Sequence, residues 1–213
     1  MRFTTLLAIL CFLGVQYILS IAFFDQLPEH MASHWNAASQ ADDTLPRFWG
    51  TLLLPMVSTV IALLMLLLPL IDPLRKNLEK FRNAYDGFIV MLVIFFSYMH
   101  VLMLMWNLGY HLHMGRFILL GLALLFLYIG TLLQQAKRNW FVGIRTPWTL
   151  SSDTVWEKTH RVGSWLAILT ALACLIGAIE PTFGYPLLLV SVGIFVVVST
   201  GYSYVVYRRE GAA

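Results

Sequence analysis

Charged residues are scarce in this chain. Only 12% of its 213 residues are Asp, Glu, Lys or Arg, about half the ~25% of a soluble domain. Hydrophobic residues make up 59%, more than the roughly 45–50% found in soluble chains. The two departures together exclude an ordinary water-soluble fold. Cysteine is nearly absent: Cys11 and Cys174 stand alone, each inside an apolar stretch. That excludes a disulfide framework and a thiolate metal site. No long basic run occurs, so direct nucleic-acid binding is not expected, and nothing in the sequence calls for a cofactor.

What the chain has instead is apolar length. A bilayer core needs about 20 apolar residues per helical crossing. Six stretches meet or approach this: Phe3–Phe24, Phe48–Ile71, Gly87–Leu108, Phe117–Leu133, Val162–Ile179 and Tyr185–Val206. None contains Asp, Glu, Lys or Arg. The expected fold class is therefore an all-α integral membrane protein with six transmembrane helices. Arg2 before an apolar run has the opening of a signal peptide, but the run is too long for a signal h-region. An uncleaved first helix is expected.

Lys and Arg in short loops set orientation. Twelve of the fourteen fall at the N-terminus, in the second and fourth connections and in the tail; only Arg47 and Arg116 fall in the others. Both termini are thus expected in the cytoplasm, and the alternation itself supports six crossings. The first connection, Asp25–Arg47, is then external and acidic, with Asp25, Glu29, Asp42 and Asp43. The fourth, Gln134–Arg161, is internal and basic. Asp72-Pro73 ends the second helix. An offset of 113 pairs Trp35 with Trp148, Ser39 with Ser152 and Gly50 with Gly163. This would overlay helix one on helix four, as two inverted three-helix repeats.

The fourth connection is dense in residues with backbone or interface roles. Gly143 permits a turn with positive φ, and Pro147 biases Thr146 away from helix. Ser151, Ser152 and Asp153 are good N-caps, and Thr154 with Glu157 fits a capping box. A helix should start near Ser152–Thr154 and place Trp156, His160 and Gly163 on one face. Trp140, Trp148 and Trp156 suit the headgroup level. By residue chemistry alone this is either an interfacial loop that sets helix five against anionic lipid or a binding surface.

The string Asn139-Trp140-Phe141-Val142-Gly143-Ile144-Arg145-Thr146-Pro147-Trp148-Thr149, with Trp156 and then Thr159-His160-Arg161-x-Gly163, resembles the signature of the SdpI family. The first connection, with Leu27-Pro28-Glu29-His30 and His34-Trp35-Asn36-Ala37 through Asp42, resembles the extracytoplasmic part of the domain of unknown function (DUF1648 type) that precedes it. Ile71-Asp72-Pro73-Leu74-Arg75-Lys76-Asn77 fits as well. Ser39 and Ala41 depart from this pattern, where Gly and Pro are common. The resemblance implies a multi-pass protein of the bacterial inner membrane, with a DUF1648-like part in residues 1–86 and an SdpI-like part in 87–213. It implies a non-enzymatic immunity or signalling role. Such a protein senses or neutralises a secreted peptide toxin outside and recruits a cytoplasmic transcriptional repressor inside. Asn139, Gly143, Arg145, Thr146, Trp148, Thr149, Trp156, His160 and Arg161 are carried over as its partner-binding signature. His34, Trp35, Asn36 and Asp42 are the external candidates.

Two alternatives compete. His30, His34, His111 and His113 all lie in external connections and could form a zinc site for a membrane enzyme, although Glu29 precedes His30 and no H-E-x-x-H motif forms. A possible repeat would suit a small-molecule permease, against which stands the lack of charged residues inside the helices. His100 is the one ionisable group deep in a helix, expected to bond Ser97 or a neighbouring helix. Ala167/Ala171 and Ala173/Gly177 are expected to let helix five pack closely.

Overall fold

The structure, a computed structural model, describes residues 2–210. Six helices are long and apolar enough to cross a membrane. They are α1 (Phe3–Phe23), α2 (Arg47–Ile71), α4 (Arg82–Asn107), α5 (Met114–Gln135), α7 (Asp153–Ile179) and α8 (Gly184–Glu210). Two short helices, α3 (Arg75–Glu79) and α6 (Pro147–Ser151), lie in the second and fourth connections. The six-helix membrane fold read from hydrophobic length stands. Helices α4, α5 and α7 run beyond their apolar stretches, because Ser152 caps α7 and polar first turns extend α4.

The first connection adds an element that helical periodicity did not suggest. Strands β1 (His30–Trp35) and β2 (Ala41–Pro46) pair antiparallel, with His30 opposite Pro46 and Trp35 opposite Ala41. Irregular register between Ala32 and Trp35 buries Met31, Ala32 and Trp35 on the bundle. Asn107, the last residue of α4, clips the hairpin down. Its Oδ1 accepts from the Ala32 N–H at 2.8 Å, and its Nδ2 donates to the Ala32 carbonyl at 3.0 Å.

The long helices pack as two sets of three, α1, α2 and α4 and then α5, α7 and α8, joined where α4 packs on α5. In the first, α4 packs on both α1 and α2. In the second, α7 lies between α5 and α8, which scarcely meet. The central helices are thus the third of one group and the second of the other. The 113-residue offset, which matches α4 with α8, does not superimpose this packing. Gly163, Ala167, Ala171, Cys174 and Gly177 form the buried face of α7; Ala173 is only half-buried, so Cys174 takes its place on that line.

Inside the first group sits a polar cluster. Gln16 Nε2 donates to Ser97 Oγ at 2.8 Å and to Ser58 Oγ at 3.2 Å. His100 Nε2 meets Ser20 Oγ at 3.1 Å. His100 therefore bonds across to α1, not to Ser97. Pro55 lacks the N–H that would bond the Thr51 carbonyl four residues earlier. Ser20 Oγ lies 3.1 Å from that carbonyl and 2.9 Å from the Gln16 carbonyl of its own helix, so its one proton is shared between the two. Hydroxyl rescue of this kind is how a membrane helix tolerates proline.

Candidate functional site

The connections that carry most of the Lys and Arg gather at one end of the bundle, and there the loop 136–152 is folded tightly upon itself. Asn139 is its organiser. The side chain is fully buried and all its bonds are local: Oδ1 accepts from the N–H groups of Phe141 and Val142 at 2.9 and 2.7 Å, and Nδ2 donates to the carbonyls of Lys137 and Val142 at 2.9 and 2.8 Å. A buried amide must find partners for both its ends. Here it finds them in the backbone of a turn, and so fixes that turn.

The turn then passes over His160. The imidazole is 1% exposed and lies stacked on Trp156, ring centroids 3.9 Å apart at 18°. A carbonyl can only accept, so Nδ1–H donates to the Trp156 carbonyl at 2.8 Å. That leaves Nε2 to accept from the Ile144 N–H at 3.0 Å. The two bonds specify a neutral ring with its proton on Nδ1. Trp156 is itself tied down, its indole N–H donating to the Ala136 carbonyl at 2.8 Å.

Gly143 makes this approach possible. Its φ is +119°, outside the range that side chains tolerate. A Cβ there would overlap His160 Nε2 and press on the Trp156 ring at 3.1 Å. Gly163 serves the same contact from the other side, leaving room for the Ile144 side chain.

Thr146 and Thr149 close the loop. Thr149 Oγ1 accepts from the Thr146 N–H at 2.9 Å, and Thr146 Oγ1 accepts from the Thr149 N–H at 3.2 Å. This is a reciprocal capping box with Pro147 at the first helical position, where its missing N–H costs nothing. The box thus belongs to α6, not to Thr154 and Glu157. Thr154 is preempted as a cap because Ser152 accepts from the Val155 N–H, and Glu157 pairs instead with Lys137 at 2.8 Å. Thr146 Oγ1 also meets Ser203 Oγ of α8 at 3.1 Å, and Trp148 packs on Tyr204 with centroids 5.0 Å apart.

Three docking residues were not singled out from the sequence as site residues. Asp72 is buried; its Oδ2 accepts from the Trp140 N–H at 3.2 Å while its Oδ1 accepts from Leu74 N–H at 2.7 Å. Asn77 Nδ2 donates to the Arg138 carbonyl at 2.9 Å. Arg138 in turn bonds the Leu150 carbonyl at 2.8 Å and lies 2.7 Å from Asp153. The signals for these contacts were the Asp72-Pro73 pair, read as a helix end, and the Ile71–Asn77 string, which fits the family pattern.

Of the nine signature residues, Asn139, Thr149, Trp156 and His160 are therefore buried supports. Arg145 and Arg161 are exposed, and Trp148 is half-buried. Arg161 borders a recess of about 330 Å³ with Gln134, Lys137, Glu157 and His160.

At the opposite end, the hairpin tip is built around Asn36, whose Oδ1 accepts from the N–H groups of Ala38 and Gln40 at 2.9 and 3.0 Å. Ser39 adopts φ +59°, a left-handed conformation that suits Gly or Asn better. Its hydroxyl accepts from the Gly115 N–H at 2.9 Å and meets His113 Nδ1 at 2.8 Å, which docks the tip on α5. His34 pairs with Asp42 at 2.6 Å. Trp35 is buried against Trp106, which also contacts His111. His30 is exposed near the hairpin base. The four external histidines thus go to four separate surroundings. Among the described residues, no three His, Cys, Asp or Glu side chains come together as a metal site.

Comparison with known proteins matches these two ends. Residues 135–203 match the SdpI/YfhL protein family, and residues 11–59 match a domain of unknown function, DUF1648. The chain is 24% identical over 196 residues to the immunity protein SdpI of Bacillus subtilis strain 168, covering 92% of each chain. No solved structure matches.

Proposed function

We propose that this SdpI/YfhL-family membrane protein is a non-enzymatic immunity protein that protects the cell carrying it from a membrane-active peptide. The observation that carries this reading is the alignment to an immunity protein over 92% of both chains, with the family segment starting at the folded loop and running into α8. The basic end faces the cytoplasm, as the twelve-to-two distribution of Lys and Arg favours.

The hairpin is then the sensing surface. Asp25, Glu29, Asp42 and Asp43 are all exposed there, a charge pattern complementary to a cationic or amphipathic peptide. The cytoplasmic surface is the rim of the recess beside Arg161, where Lys137 and Arg161 are exposed. It suits an acidic patch on a soluble partner such as a repressor. Residues 1–86 serve the first task and residues 87–213 the second. The buried signature residues act on partners only through the shape they give this loop.

The test is a challenge of peptide-sensitive cells. Cells expressing the chain should grow at peptide concentrations that stop cells with an empty vector. Asp42→Asn with Asp43→Asn should weaken protection while membrane levels stay the same. A chain that inserts normally and gives no protection would refute the reading.

A further inference from the structure

The cleft between the two three-helix groups plays no part in the proposed immunity role. Beneath the loop it widens into a cavity of about 430 Å³, within the roughly 300–1,000 Å³ range of ligand pockets. Met65 of α2, Phe88 of α4, Ile129 of α5 and Phe195 of α8 make its walls, and Phe141–Thr146 roof it. Val196 on its border is 54% exposed, so the cavity opens on the flank of the bundle where lipid lies.

Arg145 and Ser199 mark this largely apolar space, whose lining also includes Thr146 and Thr200. Arg145 stands at the roof. Its guanidinium donates to the Trp140 carbonyl at 2.8 Å, and no carboxylate lies within ion-pair distance among the described residues. Ser199 lines the interior, is 1% exposed, and its hydroxyl has no hydrogen-bond partner. A buried hydroxyl without a partner is uncommon and calls for an explanation, and Ser199 is one of the residues that line this cavity. The depth also fits. Trp140 is half-exposed beside Arg145, and Trp148 packs on Tyr204 nearby, the aromatic pattern of the headgroup level.

We propose that this cavity holds an acyl chain of one anionic phospholipid from the adjoining leaflet. Arg145 binds the phosphate, for which its planar fork is suited. The Ser199 hydroxyl donates to an ester oxygen of the same lipid. The loop thereby reads the membrane as well as any protein partner, and α8 and α5 are held at a spacing that the lipid sets.

Full-length protein in mild detergent, titrated with phosphatidylglycerol or phosphatidylcholine and read by native mass spectrometry, tests this. The protein should retain one phosphatidylglycerol with about tenfold preference over phosphatidylcholine, whose choline cation offsets the phosphate charge that Arg145 binds. Arg145→Gln should abolish the preference, and Arg145→Lys should keep part of it. Ser199→Phe should fill the cavity and expel the lipid although Arg145 remains. If Ser199→Phe does not fold, Val196→Trp, at the exposed mouth, should have the same effect. Arg75→Gln removes an exposed cation at the same end, outside the cavity, and should change nothing. Inorganic phosphate should not displace the lipid, since it lacks the chain. Equal retention by Arg145→Gln and by the cavity-blocking variant would overturn the proposal. So would an equal loss in Arg75→Gln, which would mean only general attraction of anionic lipid, or displacement by inorganic phosphate, which would mean a headgroup site alone.

Discussion

Replacing Gly143 by alanine attacks the loop at its tightest point. The backbone there has φ +119°, and forcing a side chain into so sparsely populated a region costs about 1–3 kcal/mol. The new Cβ would also overlap His160 Nε2 and sit 3.1 and 3.2 Å from two Trp156 ring atoms. Overpacking of this kind costs about 1–3 kcal/mol. To relieve it the imidazole must move, which breaks the bond from the Ile144 N–H and leaves two buried groups unpaired, for about 1–3 kcal/mol more. The three effects share one contact and do not add in full, so about 3–5 kcal/mol is expected. Gly109→Ala is the control: its φ is +97°, but nothing lies within 4 Å of the added atom. It should show the backbone term alone. Amide hydrogen exchange over residues 136–151 is the assay. Protection should fall about 100-fold or more in Gly143→Ala, since each 1.4 kcal/mol is tenfold, with α1, α2 and α4 unchanged. Protection equal to wild type, or a loss no larger than Gly109→Ala causes at its own site, would refute the packing argument.

Other consequences follow from the same contacts. His160→Leu should leave the Ile144 N–H without an acceptor and cost about 1–3 kcal/mol, seen as faster exchange of that one amide. Ser20→Ala should cost about 1–2 kcal/mol in a detergent unfolding assay, because it strips the Thr51 carbonyl and His100 of a partner. That cost should shrink in a Pro55→Ala background, where a restored backbone N–H bonds Thr51; an unchanged cost would show that the proline is not the reason for Ser20. Asn107→Leu should release the hairpin from α4 by removing both bonds to Ala32, raising the solvent exposure of Trp35 fluorescence. Single cysteines at Ala37 and at Ser151 should react with a membrane-impermeant reagent from opposite sides of the membrane, Ala37 from outside; the reverse labelling would overturn the orientation.

The helices were legible because length, absence of charge and the distribution of Lys and Arg are all local or additive properties of the sequence. The hairpin was not. Its second strand, Ala41-Asp42-Asp43-Thr44-Leu45-Pro46, is short and polar, and its first is irregular near Ala32, which breaks the alternation that marks a strand. The loop residues stood out by their special backbone chemistry: Gly143 does need its positive φ, and Ser152 does cap α7. What sequence spacing could not supply was the long-range half of the site. Asp72 and Asn77 reach the loop from 60 or more positions away in the chain, and no local pattern announces such a contact. Gln16 was passed over because an uncharged side chain scarcely lowers the hydrophobicity of its helix, yet it joins α1 to both α2 and α4. The departure at Ser39 carried information in the other direction: a hydroxyl stands where glycine would suit the backbone, and it is used to fasten the hairpin tip to His113 and Gly115.

The proposed immunity role depends on an intact loop at the basic end of the bundle. Growth of peptide-sensitive cells expressing wild-type protein or Gly143→Ala, at matched membrane levels and across a series of peptide concentrations, tests it most directly. Wild-type cells should survive, and Gly143→Ala cells should die at peptide levels close to those that kill cells with empty vector. Death of the wild-type cells, or equal survival of both, would contradict it.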